Sequence, residues 1–174
     1  FSLLAARSGV PVPTVEVLGQ DEEETAFLVT PWPDAVPLLW YDDLDDECLD
    51  RAWEAMSALH EAHLSHGAIS PSNVLGGDDG DILHADLSRG SLAPADHRIH
   101  GDVVSLVASL ATVVGVDRAQ VHAERAADPK RVPGRPHLAR ALIAAGHVET
   151  MNEAFDRFLG NEGPAYVRDR KSVV

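Results

Sequence analysis

The clearest pattern of hydrophobic and polar positions begins at Cys48 and runs to Leu64. Its apolar residues recur at three- or four-residue spacing: Leu49, Ala52, Trp53, Met56, Leu59 and Leu64. This spacing predicts an amphipathic helix with one buried face. The acidic stretch Asp42–Asp46 directly before it is suited to cap the helix N-terminus. We expect the helix to end at His66-Gly67.

Short apolar runs rich in β-branched residues predict strands on either side of this helix. Before it, Val15–Leu18 and Ala26–Thr30 flank the acidic segment Asp21–Glu24, which is typical of a solvated hairpin turn. A helix ending over Ser2–Arg7 precedes this hairpin, and Pro31-Trp32-Pro33 starts a linker that reaches Leu39. After the long helix, strands are predicted at two further places, Val74–Leu75 and Ile82–His84.

The remaining chain is predicted to be helical after a loop over Asp86–Gly101. Asp102 is placed to cap a helix over Val103–Val114, which is apolar nearly all round and therefore belongs at the centre of the core. Three more amphipathic helices follow, at Asp117–Ala127, Pro136–Ala145 and Glu149–Leu159. Strands followed by helices indicate an α+β fold with a dominant helical layer.

Charge and composition exclude several classes of function. The 174-residue chain carries a net charge of −14, which disfavours binding to nucleic acid or to an anionic membrane surface. No segment reaches the roughly 18 apolar residues of a membrane span. The single cysteine, Cys48, excludes a disulfide framework and a cysteine-based zinc site.

Both ends of the sequence have an arbitrary character. Phe1 opens within a helical pattern, and Asp169–Val174 resembles the translation of a common DNA-sequencing adapter. We therefore expect a fragment of a longer gene with a non-biological tail, and fold reasoning leaves that tail aside.

The segment His66–Leu75, of sequence HGAISPSNVL, carries the most specific motif. With its surroundings it resembles the catalytic loop of the protein-kinase-like fold, including the aminoglycoside phosphotransferases. Those proteins have His-Gly-Asp, an asparagine five residues after the aspartate, a metal-binding aspartate after a short strand, and an aspartate opening a buried helix. Here the corresponding residues are His66-Gly67-Ala68, Asn73, Asp86 and Asp102. The resemblance covers about residues 1–145 and implies the helical C-lobe with a remnant of the N-lobe sheet.

The resemblance implies a site for Mg-ATP. Asn73 and Asp86 would be its metal ligands, and they supply the oxygen atoms that Mg²⁺ prefers. Leu75 would form the floor under the adenine ring. Thr30-Pro31-Trp32 would be the hinge beside it, with Trp32 next to the nucleotide, although Pro31 removes one backbone donor.

Alanine stands where this family has its catalytic base. The methyl group of Ala68 can neither accept a proton nor orient a hydroxyl, and general-base catalysis is typically worth about 10²–10⁴-fold. The anchoring lysine of the family is not found in this chain, in which no lysine precedes Lys130, and it could lie upstream of Phe1 in the longer gene. We therefore expect a catalytically impaired, pseudokinase-type domain that serves as a regulatory or interaction module and binds Mg-ATP weakly or not at all.

Two other functions remain open at this level. An active small-molecule phosphotransferase could use another base, such as Asp96 or Asp79, although no motif places either one. A purely structural interaction domain would bind no nucleotide, and Asn73 would then be an ordinary turn residue. His66 is interpreted as a packed residue that holds the loop. His60, His63 and His66 are interpreted as packed or exposed side chains, because zinc sites usually include Cys or carboxylate ligands.

The segments LHEAHLSHGAISPSNVL, DLSRG and GDVVSLVASLATVVGVDRAQVHA also resemble the kinase-like part of bacterial flippase-like, lysylphosphatidylglycerol-synthase-related membrane proteins. That resemblance implies a cytoplasmic segment with membrane spans further along the gene, tethered to a membrane domain or another protein partner. The expected organisation is an N-lobe remnant and hinge over 1–39, a helical C-lobe over 40–160 and a tail over 161–174.

Overall fold

A computed structural model of the chain describes residues 1–13, 15–20, 26–31, 33–77, 80–127 and 130. These residues form an α+β structure, as predicted. The helices are α1 (Ser2–Arg7), α2 (Asp46–Glu61), α3 (Asp96–Val114) and α4 (Val116–Ala126). The strands are β1 (Val17–Gln20), β2 (Ala26–Val29), β3 (Ala35–Pro37), β4 (Leu64–Ser65), β5 (Val74–Gly77), β6 (Ile82–His84) and β7 (Ser91–Leu92).

Helix α2 forms over most of the predicted segment, but the prediction that it ends at His66-Gly67 is wrong. The helix ends at Glu61, and Leu64 lies in β4, where it pairs with Leu92. Asp45 is its N-cap, and the Asp45 side chain accepts a hydrogen bond from the Cys48 N–H at 2.8 Å. The predicted apolar positions on this helix are buried: Leu49, Ala52, Trp53, Met56 and Leu59. The acidic stretch therefore does cap the helix, and the apolar stripe does face the core.

Helix α3 is the central helix of the core, but it begins earlier than predicted. Leu106 and Leu110 are fully buried, as expected for an apolar helix surrounded by other elements. The prediction that Asp102 caps the helix is wrong, because α3 starts at Asp96 with Ala95 as its N-cap. The predicted loop over Asp86–Gly101 also contains β7 and a short 3-10 helix, Leu87–Arg89.

The strands form three small antiparallel sheets. Strands β1 and β2 pair with each other, although β1 lies two residues later than predicted. Strand β5 is central in the order β3-β5-β6, and β4 pairs with β7. The predicted linker before Leu39 therefore contains a strand, Ala35–Pro37, that pairs with β5.

Helix α4 packs against α2 and α3 and is tied to the start of α2 by ion pairs. Arg118 donates to Asp43 at 2.9 Å and to Asp46 at 2.7 Å. The buried His122 lies 2.8 Å from Asp50 through its Nδ1. These contacts fix the position of the acidic end of α2.

Several sequence predictions fall outside the described residues. They are the turn over Asp21–Glu24, the helices over Pro136–Ala145 and Glu149–Leu159, the tail over 161–174, the hinge residue Trp32 and the alternative base Asp79. Across the part of the chain that is described, no helix combines the length and apolar character needed to cross a membrane.

Candidate functional site

The backbone of the loop that follows β4 is held by one buried carboxylate, that of Asp102. Oδ2 of Asp102 accepts from the His66 N–H, and Oδ1 accepts from the Gly67 N–H, each at 2.8 Å. His60 Nε2 lies 3.3 Å from the same carboxylate. Asp102 projects from the second turn of α3, so the central helix sets the position of the loop. Asp102 therefore accepts hydrogen bonds from the loop backbone instead of capping α3.

The charge of Asp102 is maintained by these contacts. Burial by itself raises the pKa of a carboxyl group, but the hydrogen bonds from His60, Gly67 and His66 outweigh it and lower the pKa of Asp102. The group therefore stays ionised at neutral pH, and its two oxygens act as acceptors only.

The side chain of Asn73 makes hydrogen bonds to two other residues of the same loop. Its Oδ1 accepts from the Ser70 N–H at 2.8 Å, and its Nδ2 donates to the Ala68 carbonyl at 2.6 Å. Its own carbonyl accepts from the Ala85 N–H at 2.8 Å, which joins the loop to the segment that carries Asp86. Asn73 thus braces the backbone at Ala68. An amide oxygen has two lone pairs, so Oδ1 keeps one that could bind a metal ion.

Gly67 is required by both conformation and space. Its φ of 75° lies in the left-handed region, and a Cβ there would collide with the carbonyl oxygen of Arg89. The neighbouring Ala68 is half-buried and presents only a methyl group. The loop therefore keeps a defined backbone around a position without acid–base chemistry.

Asp86 is the exposed carboxylate of the site. Its backbone is left-handed, with φ 54° and ψ 61°, a conformation that costs energy in a non-glycine residue and is often found at functional sites. Ser88, through its side chain and its N–H, lowers the pKa of Asp86. The carboxylate is therefore ionised and accessible.

A cavity of about 440 Å³ opens beside Asp86. Its size lies within the usual range of small-molecule sites, about 300–1,000 Å³. Among the residues that line it are Phe1, Val12, Thr30, Asp86, Leu87 and Ser88. Thr30, the first residue of the predicted hinge, and Asp86 thus border the same space.

Leu75 does not border that cavity. Its side chain is 3% exposed within the β3-β5-β6 sheet, so the surface predicted as a floor for adenine is covered in this conformation. Trp32 lies outside the described residues, and its predicted place beside the nucleotide stays a prediction. Asp96 lies in the first turn of α3, separate from the loop bonds made by Asp102 and Asn73.

Two buried histidines, His66 and His84, lie next to each other at this loop. His66 is fully buried, as predicted for a packed residue, and its Nδ1 accepts from the Ala68 N–H at 3.3 Å. Its ring lies 5.5 Å from that of His84, in an edge-on arrangement. Within the described residues, neither ring nitrogen of His84 has a hydrogen-bond partner. Sequence reasoning missed His84, because a histidine at the end of a three-residue strand carries no signal of its burial.

The pKa of His84 is lowered to about 3, chiefly by burial and then by His66 beside it. Because the unfolded histidine titrates near its ordinary pKa of about 6.5, the unfolded chain binds more protons below that pH. We therefore expect the free energy of unfolding to fall with acidification from pH 6.5, with His84 contributing about 1 kcal/mol per pH unit until its folded pKa is reached.

Urea unfolding between pH 7 and pH 4 would test this expectation. His84→Leu should show a shallower pH dependence than the parent chain, whereas His97→Leu, at an exposed position, should retain the full slope. An unchanged slope in His84→Leu would show that the buried ring is not the source.

Asn73 and Asp86 carry amide and carboxylate oxygens, which are the donors that Mg²⁺ prefers. Asp86 lines the cavity described above, whereas Asn73 is not among the residues that line it. In the described residues no three His, Cys, Asp or Glu side chains are grouped so as to hold a metal ion. The metal-ligand roles of these two side chains stay predictions.

Comparison of the chain with protein families and with curated proteins found no match.

Proposed function

We propose that this chain contains a catalytically impaired kinase-like domain, in which a retained nucleotide-facing frame serves a regulatory or interaction role. The observation that carries the proposal is the loop itself. Asp102 and Asn73 hold its backbone at His66, Gly67 and Ala68, while the position between them offers only a methyl group. A loop backbone that is held in place around a position without a catalytic base favours ligand binding over catalytic turnover.

The neighbouring groups support a phosphate ligand with its cation. The accessible carboxylate of Asp86 and the remaining lone pair of Asn73 Oδ1 are ligands suited to Mg²⁺. Bound Mg²⁺ would neutralise phosphate charge, which the acidic chain otherwise repels. Without the anchoring lysine of the family, binding is expected to be weak.

Thermal unfolding with and without millimolar Mg-ATP tests the proposal. We expect the nucleotide to raise the melting temperature of the parent chain, since a ligand that binds only the folded state stabilises it. Asp86→Asn should lose this increase. Asparagine tolerates the left-handed backbone and can still accept from Ser88, so the substitution removes only the charge.

Asp117→Asn, which removes the same charge on α4, is the matched control and should respond as the parent does. A phosphotransfer assay on the same samples completes the test. Rapid ATP turnover would contradict the impaired site. If Mg-ATP has no effect at any concentration, the chain is an interaction domain without nucleotide.

A further inference from the structure

A second cavity, of about 420 Å³, lies between the start of α2 and the β3-β5-β6 sheet. Tyr41, Leu44 and Ile82 provide its apolar wall, and the Tyr41 hydroxyl donates to the Gly76 carbonyl at 3.0 Å. Gly76, Gly77 and Gly80 also line it, and the side chains of Tyr41 and Arg51 cover Gly76 and Gly80, which leaves a space of this volume open beside them. The cavity can therefore receive an apolar side chain from outside.

Exposed apolar side chains lie next to this opening. Trp40 is 71% exposed, Leu39 is 55% exposed and Val36 is 38% exposed. Val36 pairs with Gly76, which lines the cavity, and Trp40 directly precedes Tyr41. Three exposed large apolar residues within a five-residue segment are more than the isolated ones that need no explanation, and such groups are typical of a protein interaction site. Tryptophan is also among the residues that most often dominate binding energy at interfaces.

The charges around the cavity determine what kind of partner fits. Asp45 and Glu47 line it, and Asp42 and Asp43 are exposed beside it. Among the described residues that line the cavity, Arg51 is the only cation, and its pairs with Glu47 at 2.7 Å and Asp81 at 3.4 Å leave one net negative charge over these three side chains. The chain reinforces this field, since 22 of its 28 acidic residues but only 6 of its 14 basic residues precede Asp128. Such a surface attracts a cationic partner and repels anionic lipid.

We propose that this acidic groove, formed by Val36, Trp40, Tyr41, Leu44, Asp45 and Glu47, docks a basic peptide segment of a partner protein. One apolar side chain of the peptide enters the cavity against Tyr41 and Leu44. Its arginine or lysine side chains face Asp45 and Glu47, and a second apolar residue covers Trp40. The inference rests on the interaction role proposed above, but the groove shares no lining residue with the cavity at Asp86.

Panning a displayed library of random dodecapeptides against the purified chain provides the probe. We expect the retained peptides to be enriched in arginine or lysine together with leucine, isoleucine or an aromatic residue. The best of them is then synthesised with a fluorescent label for anisotropy titrations. Absence of basic enrichment over the unselected library would overturn the proposal.

Two variants locate the binding site of that peptide. Asp45→Asn with Glu47→Gln removes two charges while asparagine remains a good helix N-cap, and should weaken binding roughly fivefold. Trp40→Ala removes an exposed side chain with little cost to folding and should weaken it by about tenfold or more. The matched controls are Glu16→Gln with Glu61→Gln for the charges and Leu92→Ala for the apolar surface, all at exposed positions.

Equal affinity of the parent and both groove variants would show that the peptide binds elsewhere and would refute the assignment. Preferential binding of the chain to anionic lipid vesicles over the peptide would do the same. Because Asp86→Asn leaves the groove intact, peptide binding should survive that substitution. The experiments can therefore contradict the peptide-binding groove without contradicting the nucleotide site, and the reverse.

Discussion

Replacing Asp102 by alanine is expected to lower the free energy of unfolding by about 3–5 kcal/mol. The substitution removes the acceptor for the His66 and Gly67 N–H groups and the partner of His60. The N–H groups of His66 and Gly67 are then left without this acceptor, and His66 is fully buried. A loss of this size is a large part of the roughly 5–15 kcal/mol that stabilises a typical domain.

Urea unfolding monitored by tryptophan fluorescence measures this loss. Asp102→Asn keeps one oxygen acceptor and turns an N–H group toward a donor, so it should cost about 2 kcal/mol and serve if the alanine variant does not fold. Glu61→Ala, at an exposed position on α2, should change stability by less than about 0.5 kcal/mol.

Amide hydrogen exchange adds a local readout. The N–H groups of His66 and Gly67 should exchange faster in both Asp102 variants, and Glu61→Ala should leave them protected. If Asp102→Ala unfolds at the same urea concentration as the parent with unchanged protection of these amides, the carboxylate does not anchor the loop.

Replacing Gly67 by alanine is expected to cost about 2–4 kcal/mol, from two causes. The left-handed backbone costs a non-glycine residue about 1–2 kcal/mol. The new Cβ also meets the carbonyl of Arg89, which is backbone and cannot rotate away, so the loop must shift. Because Gly67 is joined to Asp102, that shift strains the same anchor.

The control for this prediction is another glycine of the chain. Gly101 lies within α3, and a Cβ there meets no atom within 4 Å. Gly101→Ala should therefore stabilise the chain by about 0.5–1 kcal/mol, from helix propensity alone. Equal effects of the two alanine substitutions would mean that the loop tolerates a side chain at Gly67, contrary to the expectation.

The elements with long, regular patterns were the ones that sequence reasoning located well. Helix α2 has six buried apolar positions at helical spacing and an aspartate at its N-cap, and both signals are local. Helix α3 was recognised by its apolar character, but its start was misplaced. The segment from Asp96 to Gly101 is polar, and its helical state follows from continuity with the buried part.

Three of the short strands were not predicted, although β6, also of three residues, was located correctly. Strands β3, β4 and β7 contain two or three residues each, too few for an alternating pattern to be visible. Each exists because a distant segment supplies its hydrogen bonds, as Leu64 pairs with Leu92 and Pro37 pairs with Leu75. That information belongs to the tertiary structure.

The sequence by itself determined the spacing of His66, Asn73, Asp86 and Asp102 and the methyl side chain at Ala68. The chemistry of a side chain is a covalent fact that no folding changes. Only the tertiary structure decided that Asp102 acts from inside a helix, because its partners lie 35 and 36 residues away in the chain. It also decided that His84 is buried beside His66 and that an acidic groove forms next to Trp40. Burial and the meeting of distant charges depend on which elements pack together.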